Sequence, residues 1–298
     1  MRVLIVGCGY VGLPLGAGLV RQGHEVFGLR RSAAEELQAA GIKPLLADIT
    51  QPESLKDLPR NFDWVVNCVA AGGDAKNHRQ IYLEGNRNLV TWLADSQLKK
   101  IIYTSSTSVY GQNDSSVVTE ESPVEPEADT AKVLVEAEKL LLDEGGSGGH
   151  SPHHKFSVVI LRVAGIYGPQ RGHWFRQFLK GEARIEGDGS RFLNMIHRDD
   201  VVGCIIAALE RGTPGEIYNA VDDEPVTQLK LFEWLAATLG KPMPQSVSEE
   251  AGFVRKRGVT NKRVSNRKLK TELGYQFQHP DFRGGYGAEL TRLVRAGR

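Results

Sequence analysis

The chain is poor in cysteine, with three in 298 residues, and none of Cys8, Cys68 and Cys204 stands in a CxxC pair. That excludes a disulfide framework and a thiolate metal knuckle. Three thiols inside apolar runs read as small buried hydrophobes of a reducing, cytoplasmic compartment. Neither sign of charge is in excess, since the formal net charge is +1 with 24% charged residues. No global field draws the chain to nucleic acid or to an anionic membrane, so its partners must be read from sites. Nowhere does an apolar run reach the ~18 to 20 residues that a bilayer span needs. Met1 to Val20 is apolar, yet glycines interrupt it and it holds one arginine near its start, which sets it apart from a secretory leader.

Glycine is abundant instead, at 33 residues, and three of them sit in the first twelve: Arg2-Val-Leu-Ile-Val6 runs straight into Gly7-Cys-Gly-Tyr-Val-Gly12. An apolar β-branched run that meets GxGxxG and then a helix-compatible stretch predicts a dinucleotide-binding turn. Gly7 permits the tight exit from the strand, Gly9 lets the backbone approach a pyrophosphate, and Gly12 lets the helix pack close to the sheet. The phosphates would lie at the helix N-terminus, where unpaired N–H groups favour negative charge. Gly23 ends the intervening helix before a second strand, residues 25 to 29.

Apolar runs recur at residues 2 to 6, 25 to 29, 64 to 71, 100 to 105 and 157 to 163, with helical segments between them. That alternation predicts an α/β fold, a Rossmann-type doubly wound parallel sheet with helices on both faces. Helices are expected over Arg79 to Ser96, Asp129 to Asp143 and Asp199 to Arg211, and a last strand over 216 to 221. After Tyr167 the rhythm changes. Residues 1–166 and 196–221 read as the dinucleotide-binding domain, and 167–195 with 222–298 as a smaller C-terminal lobe capping the strand ends, where open α/β sheets bind ligands. The Gly145-Gly-Ser-Gly-Gly149 tract and His150, His153 and His154 read as a solvated loop in preference to a metal site, and no metal ligands are expected elsewhere.

The second strand ends in Leu29-Arg30-Arg31-Ser32. Where NAD-binding folds place a carboxylate for the ribose hydroxyls, two guanidiniums and a hydroxyl suit a 2′-phosphate, so NADP(H) is expected over NAD(H).

Six ordered segments together resemble the extended short-chain dehydrogenase/reductase superfamily, its NAD(P)-dependent epimerase/dehydratase group. They are Gly7 to Gly12, Asp48-Ile49, Tyr103-Thr-Ser-Ser-Thr-Ser-Val-Tyr-Gly111, Leu161-Arg-Val-Ala-Gly-Ile-Tyr-Gly-Pro169, Ile196-His-Arg-Asp-Asp200 and Ile217-Tyr-Asn-Ala220. The resemblance implies cofactor contacts from Tyr10 and Val11 in the turn, Asp48 and Ile49 at the adenine, Cys68, Val69, Ala70 and Ala71 along the ribose wall, and Thr104 and Ile166 at the strand ends. It implies a serine role for Ser106, with Thr107 beside it. Lys132 matches the lysine that in the family holds the nicotinamide ribose.

Four residues before Lys132 the chain has Ala128, not the family's tyrosine, and Tyr82 stands at the position expected to be Asn. The resemblance is thus to an atypical member. As an oxidoreductase or epimerase acting on a carbonyl or sugar-like substrate, it would take its proton from Tyr82, Tyr167, His197 or a water. The alternative is a non-catalytic NADP(H)-binding sensor or scaffold. Arg171, His173, Trp174 and Arg191 read either as a grip on a phosphate or carboxylate or as a surface turn, and Tyr167 and His197 as further substrate contacts. Arg255-Lys-Arg257 and Asn261-Lys-Arg263 lack interleaved aromatics, which points to a solvated loop or a substrate-phosphate contact in preference to nucleic acid. Relatives commonly dimerise through the helices that here carry Tyr82 to Trp92 and Lys132 to Leu141, so a homodimer is expected.

Overall fold

The computed structural model describes residues 1–71, 76–145, 156–248 and 260–296. The histidines at 150, 153 and 154 and the stretch Arg255–Arg257 lie outside them. Seven short apolar segments, β1 (Arg2–Val6), β2 (Glu25–Arg30), β3 (Lys43–Leu46), β4 (Trp64–Asn67), β5 (Lys100–Ser106), β6 (Ser157–Val163) and β7 (Ile217–Ala220), form one sheet in the order β3-β2-β1-β4-β5-β6-β7. Every pairing in it is parallel. The chain starts at β1, winds outward to β3, and returns to β4 to wind the other way. The reversal opens a crevice at the carboxyl ends of β1 and β4, where ligands of such sheets bind.

Strand β3 is absent from the apolar runs in the sequence because it is half exposed and carries Pro44. Proline is tolerated there because an outermost strand has one side without a ladder. In the interior strands alternation assigns the faces: Val3 and Ile5 pack into one core, Leu4 and Val6 into another. The first core takes Leu15 and Leu19 from α1 (Gly12–Arg21). Further along the chain come α2 (Ala34–Ala39), α3 (Gly85–Leu93), α4 (Asp129–Gly145) and α5 (His173–Lys180). Leu89, Trp92 and Leu93 of α3 and Ala137 and Leu141 of α4 cover the opposite face. Helix α6 (Arg198–Arg211) returns to the first face with Val201, Cys204 and Ile205.

A third core, with Phe175, Phe178, Leu231, Phe232 and Phe282, stands over the strand ends. It draws on α5 and on α7 (Gln228–Leu239) and α9 (Phe282–Ala296), while Leu269 and Leu273 of α8 (Arg267–Leu273) join the sheet's core. The sequence shows no strand and helix alternation after Val221 because the connecting strands, such as Val226–Thr227 and Arg263–Val264, are two residues long. No described helix is long and apolar enough to cross a membrane.

Candidate functional site

A cavity of about 960 Å³ runs from the β1 turn to the lobe. At its first end Gly7 has φ +79°, and a Cβ there would lie 2.6 Å from the Val69 nitrogen, so only glycine fits. A Cβ on Gly9 would meet nothing nearer than 4.0 Å, which leaves the wall open to a phosphate, and no side chain caps α1. Both features fit a dinucleotide pyrophosphate. Gly12 lies behind this wall, its position closed by Ile5 Cγ2 and the Gly7 carbonyl at 2.9 Å, as close helix packing requires.

Tyr10 and Val11 line the cavity beside the turn. Arg30, Arg31, Ser32, Asp48 and Ile49 line it beyond the β2 end. Arg30 Nη1 donates to Glu36 at 2.8 Å, whereas the Arg31 side chain is 79% exposed and lies 3.8 Å from Asp48 Oδ2. Asp48 Oδ1 accepts from the Thr50 amide and hydroxyl. Cys68, Val69 and Ala70 form the next stretch of wall, and burial pushes the thiols of Cys68 and Cys8 up, that of Cys8 to about 12, so neither is a nucleophile at neutral pH. Ala71, expected with them, does not line the cavity, and its amide donates to Tyr82 Oη at 3.0 Å.

Tyr82 belongs to a π-helical segment, Arg79–Glu84, in place of the regular helix expected over Arg79 to Ser96. Such a segment inserts a residue into the ladder. Asn86 Nδ2 donates to the Tyr82 carbonyl at 2.6 Å, while its Oδ1 accepts from Asn67 at 2.7 Å. The widened turn aims Tyr82 at the cavity wall.

At the end of β5, Thr104, Ser106 and Thr107 all line the cavity, and Ile166 faces them. Ser106 Oγ accepts from the Ser108 amide at 3.2 Å, capping the 3-10 turn Thr107–Val109, and its own proton remains to be donated. Helix α4 contributes Thr130 and Leu134. This i, i+4 pair, not Ala128 and Lys132, forms its cavity face. Lys132 is corrected on this ground: its ammonium is exposed and pairs with Asp129 at 3.1 Å, outside the cavity. The sequence register was two residues off because the helix carries no tyrosine to anchor it.

His197 is also corrected. It is 2% exposed, does not line the cavity, and its Nδ1 accepts from the Asp199 amide as the N-cap of α6. With Asp200 and His279 it forms a compact cluster, but the Asp200 oxygens already accept from Tyr275 Oη and the amides of Gln278 and His279. Tyr167 lines the cavity with its ring, while its hydroxyl donates to the Asp281 carbonyl and burial holds its pKa far above the usual value. Trp174 and Arg191 line the lobe side, the guanidinium 5.5 Å from the indole centroid. Glu186 lies 3.6 Å from Arg191 Nε, yet Nε and Nη2 are buried and make no hydrogen bond among the described residues.

One feature escaped the sequence reading, and a second was read only as part of a basic run. Arg162 and Glu138, both 4% exposed, form a buried bidentate pair next to Ser105. Ser105 Oγ donates to Glu138, Arg162 Nη1 donates to Tyr110 Oη, and Tyr110 donates to Asn219. Charged residues inside an apolar strand and on an apolar helix face were the signal. The second is Lys262, 3% exposed and on the cavity wall, its pKa pushed down to about 8 by burial.

A parallel doubly wound sheet with a glycine cradle at its switch point and a hydroxyl-lined cavity beyond defines a dinucleotide-dependent enzyme fold. The chain belongs to the NAD dependent epimerase/dehydratase family, which it matches over residues 3–220. It is 30% identical over 290 residues to Protein YeeZ of Escherichia coli K12, covering 94% of this chain and 97% of that one. It is 27% identical over 267 residues to the 2-alkyl-3-oxoalkanoate reductase of Shewanella oneidensis, covering 83% and 69%. A solved structure of a functionally unknown conserved protein from Silicibacter pomeroyi superposes with a TM-score of 0.79 at 28% identity, over 98% of each chain.

Proposed function

We propose that this chain is an NADP(H)-dependent ketoreductase whose substrate is a small oxo acid. The observation that carries the reading is one continuous cavity with a pyrophosphate cradle at one end and Ser106 and Arg191 toward the other. A bound dinucleotide would supply or take up hydride there, held by the Gly7–Gly12 turn and the β4 wall. Arg31 is the open guanidinium for a 2′-phosphate, since Arg30 is already engaged by Glu36. Ser106 donates to the substrate carbonyl oxygen, where charge develops on hydride addition. Arg191, on the cavity wall beside Trp174, grips the carboxylate. The oxoalkanoate named for the Shewanella relative supports this substrate class. Tyr82, Thr107, Trp174 and the ring of Tyr167 shape the remaining walls.

The test is a fluorescence titration with NADPH and NADH, followed by NADPH oxidation with 3-oxooctanoate and its 2-alkyl derivatives. Tighter NADPH binding and turnover are expected; stronger NADH binding would overturn the cofactor preference. A sensor is the second reading, favoured by the absence of an ionisable group at Thr130 and Leu134. Tight binding without turnover of any oxo acid would establish it. The three buried or half-buried free thiols suit a reducing cytosol. We place a homodimer interface on α3 and α4, testable by light scattering.

A further inference from the structure

We propose that Lys262 is the proton donor of the reaction, acting from the lobe in place of helix α4. The proposal rests on the ketoreductase reading above. Lys262 lies beside the short strand Arg263–Val264, which pairs with Val117–Val118, and its carbonyl accepts from Asn194 Nδ2 at 2.9 Å. The same Asn194 accepts from the Val264 amide, and Asn261 Oδ1 accepts from the Phe192 amide. These bonds stitch the segment to the strand that follows Arg191, so the lysine's backbone is fixed on the substrate side of the cavity.

The side chain is fixed as well. Among the described residues, Nζ donates to the Tyr110 carbonyl at 2.7 Å and to Thr260 Oγ1 at 2.9 Å. An ammonium has three N–H donors, so one remains for the cavity that Lys262 lines. Tyr110 closes, through its amide, the 3-10 turn that Ser106 caps, and its carbonyl is the acceptor that holds Nζ. Nζ is thereby anchored to a residue four positions beyond Ser106, on the wall of the cavity that Ser106 also lines. Among the described residues two acceptors and no carboxylate hold this buried cation, and burial brings its pKa to about 8, near the working pH that suits a general acid.

The step balances. The carbonyl carbon gains a C–H bond from the hydride of the reduced nicotinamide. The C=O π pair moves onto oxygen, and the oxygen takes a proton from Nζ as that N–H bond breaks. Lys262 is left as a neutral amine that recovers its proton from water; the products are an alcohol and the oxidised dinucleotide. The other titratable groups at this end of the cavity are Tyr82, Tyr167, Tyr286, His173, Arg171 and Arg191. Burial raises the pKa of Tyr167 and Tyr286 far above this range, and an arginine does not titrate in it.

Two measurements test the assignment. In the full chain with lysines reductively ¹³C-methylated, the Lys262 signal, assigned by its loss in K262R, should titrate near pH 8; titration with the surface lysines near pH 10 overturns the proposal without needing a substrate. In NADPH-dependent reduction of 3-oxooctanoate, turnover should fall as pH rises through about 8, because the protonated form is the active one. K262R keeps the charge but cannot release a proton, and should lose ~100-fold or more in kcat while binding NADPH as the wild type does. K262R with wild-type turnover overturns the proposal and leaves the ketoreductase reading standing. A wild type that binds NADPH and reduces no oxo acid removes both.

Discussion

The two ends of the cavity are built by different means. At the dinucleotide end the work is done by backbone: a glycine at φ +79°, an open wall at Gly9 and an uncapped helix start, all within twelve consecutive residues. At the substrate end it is done by side chains brought from β5, the π-helical segment, the Arg191 strand and residue 262, separated by up to 180 positions in the chain. Backbone features are fixed by local stereochemistry and tolerate few residue types. Side-chain features depend on tertiary placement and can be moved from one element to another while the cavity is kept.

The largest effect should come from the buried ion pair that holds Ser105 at the end of β5. Arg162→Met leaves Glu138 buried without its partner, and breaking a buried pair in this way costs about 3–5 kcal/mol. Urea denaturation should register a loss of that size; a loss under about 1 kcal/mol would mean that Glu138 is neutralised by other means and that the pair does not hold the end of β5.

Gly7→Ala sharpens the comparison at the backbone end. The new Cβ meets the Val69 backbone and the positive φ adds about 1–2 kcal/mol of strain. Folding should survive with a lowered Tm, and NADPH affinity should fall more than 100-fold in a fluorescence titration. Retained affinity would show that the pyrophosphate does not use this turn.

Arg191→Gln probes the side-chain end. Losing a charged hydrogen bond of about 1.5–3 kcal/mol should raise the KM for an oxo acid roughly 10- to 100-fold and leave NADPH binding unchanged. An unchanged KM would remove the carboxylate from the substrate description. Arg31→Glu should cost about 10-fold or more in NADPH affinity and little in NADH affinity, measured side by side; equal losses would assign Arg31 to the shared pyrophosphate instead.

The sheet, its switch point and the glycine turn were legible because periodicity and GxGxxG report local geometry. The lobe was less so, since two-residue strands such as Val226–Thr227 have no period to read. Ser106 was found by its motif and lies on the cavity wall. Lys262 was read only within its basic run, as a solvated loop or a substrate-phosphate contact, because nothing in Asn261-Lys-Arg263 says which of two adjacent cations is buried and which exposed. Glu138 escaped for the same reason, as one acid among several on a long helix. Its burial is decided by Arg162, 24 residues away.

The smallest expected effect is the sharpest check on the register of α4. A lysine matched by motif alone would hold the ribose, and its loss would impair both binding and turnover. In the structure the Lys132 ammonium is 54% exposed and pairs with an Asp129 that is itself 97% exposed, three residues away on the same helix. An exposed pair of this kind is worth about 0–1 kcal/mol, and a helix tolerates alanine well. Lys132→Ala should therefore shift stability by no more than about 0.5 kcal/mol and leave NADPH affinity and kcat at wild-type levels. A tenfold loss of NADPH affinity would restore Lys132 to the cavity, rotate α4 by the equivalent of two residues, and displace Thr130 and Leu134 from its wall. It would also give this helix the cation whose absence sets its chemistry apart from that of the lobe.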